Sequence, residues 1–302
     1  MIDESPGQAR AAGLARPGLG ARLFVACQHA IPQHALSRAV HRLARSRAVP
    51  VKNALIRAFV RAYRPRLDEA AEPNPFAYRS FNDFFTRALR PDARPVASGA
   101  TTLVSPVDGT VSQIGYLNEL TLLQAKGRHY RLPALLSPAG EAWTRRLAGG
   151  AFATLYLAPF NYHRIHMPVA ATLQAAWYVP GRLFSVNTTT AQAVSDLFAR
   201  NERVICAFES DAGVPFAMVL VGALCVGSIA TLWHGEVTPC RPRTPRTLPV
   251  PREAHLERGA EMGRFNMGST VILLFPREAL LWREPLGPAS EIVVGQALAS
   301  LQ

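Results

Sequence analysis

Residues Ala212–Gly235 read AGVPFAMVLVGALCVGSIATLWHG and contain no Asp, Glu, Lys or Arg. A charge-free run of this length could cross a membrane as a helix. Its interruptions speak against that. Gly213, Pro215, Gly222 and Gly227 break it, and its apolar residues fall into two β-rich bursts, Phe216–Val221 and Cys225–Leu232. Two buried strands explain the run better than one span. The same texture, short apolar runs between Gly and Pro, extends from Leu103 to about Ala297, with one helical interlude predicted near Thr189–Ala199 and a Pro/Arg-rich loop at Arg241–Arg252. The expected fold class is α+β, a β-rich core domain preceded by N-terminal amphipathic helices.

The helices are read from periodicity. Leu36, Ala39, Val40, Leu43 and Ala44 share one helical face, with Arg38, Arg42 and Arg45 opposite. After an interruption at Pro50, Leu55, Ile56, Phe59, Val60 and Tyr63 form a second apolar stripe, with Arg57, Arg61 and Arg64 opposite. Ser80-Phe-Asn-Asp83 resembles a capping box that opens a helix bearing Phe81, Phe84, Phe85 and Ala88. The chain of 302 residues carries a net charge of +12. Residues 1–66 hold eleven Arg and Lys52 against Asp3 and Glu4, so nearly all of the imbalance lies there. Such a block points to an anionic partner. In the plainer reading, both stripes pack on the body and the arginines are solvated. The imbalance favours residues 21–66 as basic membrane-associating helices lying in the interface. Residues 1–20 are expected to be disordered and show no secretory signal. Residues 67–302 are expected to form the catalytic domain.

The four cysteines form no CxxC pair, and Cys206 and Cys225 lie in apolar runs, consistent with a reducing compartment. Three places could carry chemistry. Ser105-Pro-Val-Asp-Gly109 sets Asp108 in a turn. Tyr156–Pro168 carries His163 and His166. Gly268-Ser269 interrupts the start of the strand-like Thr270–Phe275. Singly, each has a structural explanation: turn geometry for Asp108, satisfied or metal-bound imidazoles for the histidines, a common dipeptide for Gly268-Ser269. No third and fourth ligand at zinc-like spacing accompanies the histidines, so no metal is expected. Together they offer a carboxylate, an imidazole and a hydroxyl, the parts that activate a serine.

From Tyr78 to the end, the chain resembles the bacterial (type I) phosphatidylserine decarboxylases, pyruvoyl-dependent proenzymes. The resemblance rests on SFNDFFTR, SPVDG, YHRIHMP, GRLFSVN, LFARNERV, VGALCVGSIAT and EMGRFNMGSTV. One departure is Met267, where the family has Leu before Gly-Ser-Thr; this apolar change conserves volume. The resemblance implies self-cleavage between Gly268 and Ser269, giving a large chain 1–268 and a small chain 269–302 that stay packed together. Ser269 would attack the Gly268 carbonyl, with His166 as base oriented by Asp108, and would end as a covalent pyruvoyl group. That group would form a Schiff base with phosphatidylserine and serve as the electron sink for its decarboxylation to phosphatidylethanolamine. His163 would take proton transfer or carboxylate placement. The enzyme would lie peripherally on the cytoplasmic face of the cell membrane, against its anionic surface. Oligomeric state stays open, with room for a homo-oligomer.

Three rivals compete. A serine hydrolase could use Asp108, His166 and Ser269 without self-cleavage, though the Gly-x-Ser-x-Gly elbow is absent. SPVDGTV is similar to the turn of lipoyl-carrier β-sandwiches, but the only lysines are Lys52 and Lys126. Nucleic-acid binding by the arginine-rich segment lacks a zinc or RNP-type pattern, and no nucleic acid is expected.

Overall fold

The computed structural model describes residues 19–302 apart from 126, 225–227, 240–242 and 269. The expectations for residues 1–18, Lys126, Cys225, Cys240 and Ser269 concern positions outside the described residues. The chain begins with α1 (Leu19–Ala30), α2 (Gln33–Ala44), α3 (Val49–Tyr63) and α4 (Phe81–Phe85). It continues through β1 (Thr102–Val104), β2 (Gly109–Tyr116), β3 (Thr121–Ala125) and β4 (Arg128–Arg131) to α5 (Leu132–Leu136) and α6 (Gly140–Leu147). β5 (Ala151–Tyr156), β6 (Arg164–His166) and β7 (Ala171–Val179) lead to α7 (Thr188–Ala193) and α8 (Leu197–Arg200). Next come β8 (Arg203–Ser210), β9 (Pro215–Val221), β10 (Ile229–Thr231), β11 (Gly235–Glu236), β12 (Arg246–Leu248) and β13 (His255–Leu256). β14 (Glu261–Phe265), β15 (Thr270–Phe275), β16 (Leu280–Trp282), β17 (Glu291–Ile292) and β18 (Ala297–Leu301) complete this α+β chain.

The main sheet has nine strands in the order β12-β7-β8-β9-β15-β5-β2-β17, with β13 also on β7. β15 lies inside it, antiparallel to β5 and β9, and all six of its residues are buried. Alternation along the strand sends Val271, Leu273 and Phe275 into one core and Ile272 and Leu274 into another. Ile229, Met262, Phe265 and Leu298 from two smaller sheets cover the first face. Leu135, Ala191, Leu197 and Phe198 from the short helices cover the second. A strand covered on both faces needs an unbroken apolar sequence, and each such side chain contributes about 1.5–3 kcal/mol of burial. The charge-free run divides accordingly: Pro215–Val221 is β9, and Ile229–Thr231 is a shorter β10 in another sheet. No helix among the described residues is long and apolar enough to cross a membrane.

The N-terminal helices depart from expectation in three ways. α1 was not foreseen, and its first two residues fall inside the segment expected to be disordered. Pro50 starts α3 rather than interrupting it, because its missing N–H costs nothing in a first turn. Most of the stripe on α2 faces away from the body: Leu36, Ala39 and Leu43 are exposed, and of the stripe only Ala44 is buried, beside the polar Gln33 and Ser37. Docking of α1 and α2 uses polar side chains. The Gln28 carbonyl accepts from the Ser185 amide (2.7 Å), and the Gln33 carbonyl accepts from the Leu183 amide (2.9 Å). The stripe on α3 does pack inward, its Ile56 and Phe59 joining Phe81, Phe84 and Phe85 in a third core. Phe59 meets Phe81, Phe84 and Phe85 edge-on, at centroid distances of 5.4, 5.9 and 5.7 Å.

Ser80 caps α4 as expected, accepting from the Asp83 amide (3.1 Å), but the helix ends at Phe85. The interlude near Thr189–Ala199 is two helices, α7 and α8, separated by Asp196 in a left-handed conformation. Cys206 is buried, which pushes its thiol up to about 12, and Cys27 is exposed.

Candidate active site

The residues ahead of β15 hold an unusual backbone. Met267 has φ +119° and Gly268 φ +43°. Glycine adopts such angles freely, whereas a side-chain-bearing residue is strained there, typically by about 1–3 kcal/mol. Met267 touches both the second and the third core, which holds it in place. A Cβ added at Gly268 would lie 3.2 Å from Nε2 of His163 and 3.6 Å from the carbonyl oxygen of Leu157.

His163 reaches this point because β6 pairs with β14. The Phe265 amide donates to the His163 carbonyl (3.0 Å), extending the ladder to that residue. Its ring is fully buried and lies on Phe85, with centroids 4.1 Å apart. Nδ1–H donates to the carbonyl of Asn161 (2.8 Å). That bond fixes the tautomer and leaves Nε2 as a bare lone pair, which has no hydrogen-bond partner among the described residues. Burial pushes the imidazole down to about 3, so it is neutral at physiological pH.

His166 is elsewhere. On extended backbone, residues three apart point to opposite faces. Its Nδ1–H donates to the Gly259 carbonyl (2.7 Å), and Nε2 accepts from the Tyr162 hydroxyl (3.1 Å). Burial lowers its pKa as well. Asp108 is buried, and its two oxygens accept from Nε and Nη2 of Arg94 (2.9 and 2.6 Å) and from the Val294 amide (2.8 Å). The structure therefore brings His163 to Gly268 and does not join Asp108 to His166. The donor expected to face Asp108 is taken by Gly259, and the carboxylate is taken by Arg94. Arg94, Tyr162 and Gly259 were not foreseen: Arg94 and Gly259 reach their partners from 14 and 93 residues away, and Tyr162, four residues from His166, carried no signal of its own in the sequence. Among the described residues, no group of three or more His, Cys, Asp or Glu side chains could hold a metal ion.

Sequence comparison gives the site its family. A phosphatidylserine decarboxylase profile matches residues 81–300, and a second one, described as PSD, matches residues 23–64. The chain belongs to the phosphatidylserine decarboxylase family. It is 50% identical over 281 residues to the phosphatidylserine decarboxylase proenzyme of Chromobacterium violaceum, covering 92% of this chain and 99% of that one. The Stutzerimonas stutzeri proenzyme is 49% identical, covering 92% of this chain and 94% of its own. That of Saccharophagus degradans is 46% identical, covering 93% and 98%. These relatives are named as decarboxylase proenzymes, which does not favour the hydrolase reading. The PSD match at residues 23–64 places α2 and α3 within a family match too.

Proposed function

We propose that the chain is made as a proenzyme, cuts itself between Gly268 and Ser269, and then decarboxylates phosphatidylserine to phosphatidylethanolamine. The observation that carries the cleavage point is the left-handed Gly268 beside the bare Nε2 of buried His163, directly ahead of β15. In the cleavage, the Ser269 hydroxyl adds to the Gly268 carbonyl and displaces the Ser269 nitrogen, giving an ester. Loss of the Ser269 α-proton expels the carboxylate of Gly268, and hydrolysis with release of ammonia leaves a pyruvoyl group at position 269. The large chain is 1–268 and the small chain 269–302. Glycine suits this step because no Cβ shields its carbonyl.

The surroundings fit a pyruvoyl group at position 269: the preceding residue meets a buried, neutral imidazole whose Nε2 has no hydrogen-bond partner among the described residues. Once formed, that group supplies the electron sink for the negative charge left when CO₂ departs. His163 offers its lone pair next to that position, to hold or pass a proton during decarboxylation. Phe85 and the third core fix the ring and keep water away. Asp108 and His166 keep the role the family resemblance gives them, activation of Ser269, although in this structure they bond Arg94 and Gly259 instead.

The N-terminal helices supply membrane contact. Leu23, Phe24, Leu36, Leu43 and Val49 are exposed on α1–α3, alongside exposed Arg42, Arg57 and Arg61. Apolar side chains turned outward beside arginines suit peripheral binding to an anionic bilayer, on the cytoplasmic face.

Intact-mass spectrometry tests the cleavage. Wild-type protein should give two chains, the smaller beginning with a carbonyl-reactive residue 269. Ser269→Ala should remain one chain and be inactive. An active wild-type enzyme of uncut mass would sink the proposal.

A further inference from the structure

Arg87 has no role so far, and its setting is unusual. It is only 3% exposed, and its Nε and Nη1 are buried without a hydrogen-bond partner among the described residues. Nη2 lies 3.5 Å from the Phe160 carbonyl, the outer limit of a hydrogen bond. The guanidinium also lies over the Phe84 ring, 5.7 Å from its centroid. A guanidinium has five N–H donors and cannot discard its charge. Burial opposes that charge and lowers the pKa of the group.

Arg87 lines a cavity of about 230 Å³ together with Arg64, Arg66, Arg94, Asn161 and Tyr162. The acidic side chains there are Glu69, Asp108 and Glu291. Two of them are engaged: Arg94 bridges Asp108 and Glu69, and Arg66 also bridges Glu69. No ion pair to Arg87 is formed among the described residues. The cavity reaches the segment that holds the His163 ring, because Asn161 lines it and its carbonyl accepts from Nδ1 of His163. Arg87 is close enough to His163 for its charge to oppose protonation of that ring.

The substrate carries two anions near its amine, a carboxylate and a phosphodiester. A guanidinium on the carboxylate would stabilise the charge that must leave as neutral CO₂, favouring the ground state over the transition state. On the phosphodiester it holds the substrate without that penalty, and the planar fork matches phosphate oxygens. We propose that Arg87 is the receptor for the phosphodiester of the phospholipid head group, bound in this cavity beside His163. The proposal rests on phosphatidylserine as substrate; a wild-type enzyme that fails to decarboxylate it would refute that substrate, not Arg87.

The test uses mature enzyme with short-chain dihexanoyl lipids. Arg87→Gln should still cut itself, which reports folding. Its KM for phosphatidylserine should rise at least about tenfold while kcat changes by less than about threefold, the mark of lost binding shared by ground and transition states. Inhibition by the product phosphatidylethanolamine, which keeps the phosphodiester and lacks the carboxylate, should weaken by a similar factor, and Arg87→Lys should recover part of both. A raised KM with unchanged product inhibition would assign Arg87 to the carboxylate and overturn the proposal. Unchanged KM and product inhibition would overturn it equally. If neither variant cuts itself, Arg87 is a folding residue and the proposal falls. In wild type, glycerophosphoethanolamine should compete with substrate and ethanolamine should not; equal competition by both would also overturn it.

Discussion

Two histidines three residues apart sit in different chemical settings, and substitution separates them. His163→Ala should lower decarboxylation by about 100-fold or more, the usual weight of a positioned proton carrier. His166→Ala should remain a single chain if Asp108 and His166 activate Ser269. A His163→Ala protein that also stays uncut would move the serine's base to His163, where the Nε2 lone pair already faces Gly268. The burial of His163 predicts a pH effect on stability. Its pKa falls from the ordinary 6.5 to about 3 on folding. Below 6.5 the unfolded chain takes up a proton that the folded ring refuses. The stability is therefore complete above 6.5 and is lost as pH falls towards 3, by up to about 1.4 kcal/mol per pH unit. In uncut Ser269→Ala protein, going from pH 7 to pH 5 should cost about 2 kcal/mol more than in the same protein with His163→Gln, as read from urea midpoints. An identical pH dependence in both would show that the ring is not held neutral. The residue types of the site were legible in the sequence, but their pairing was not. Asp108 and His166 were expected to meet; which acceptor each ring nitrogen finds depends on Gly259, 93 residues from His166.

Among the elements, α3 and α4 position the site through one aromatic contact. Phe59 packs on three phenylalanines of α4, and Phe85 supports the His163 ring. Phe59→Ala should cost about 3–5 kcal/mol and lower Tm by about 10 °C, with decarboxylation falling below what the loss of folded protein explains. A calorimetric Tm within a degree of wild type would mean that this cluster does not brace the site. β9 and β15 were readable because strands covered on both faces must be apolar throughout. α5 and α6, of five and eight residues, gave too little periodicity to detect. The outward face of α2 was hidden for a different reason. Gln33 is buried by Leu183, 150 residues away, and nothing in the local pattern of α2 records that partner.

For the whole molecule, charge and exposed apolar area coincide on the N-terminal helices. Each basic group near an anionic surface contributes about 1 kcal/mol, less when salt screens it. Charge reversal at Arg42, Arg57 and Arg61 should weaken binding to anionic vesicles at low salt by at least about tenfold and leave self-cleavage intact. Equal binding by the reversed protein would remove electrostatics from the docking. A longer-lived consequence follows from the position of β15, held on both sides by β5 and β9. Before the cut, residues 269–302 are tethered, and insertion of this strand into the sheet is an intramolecular search. After the cut, no bond returns a lost β15 to its slot, and the two edges left by β5 and β9 can collapse or capture other chains. The two chains of the mature protein are then joined by non-covalent contacts alone, and recovery from separated chains is a search between two molecules rather than within one.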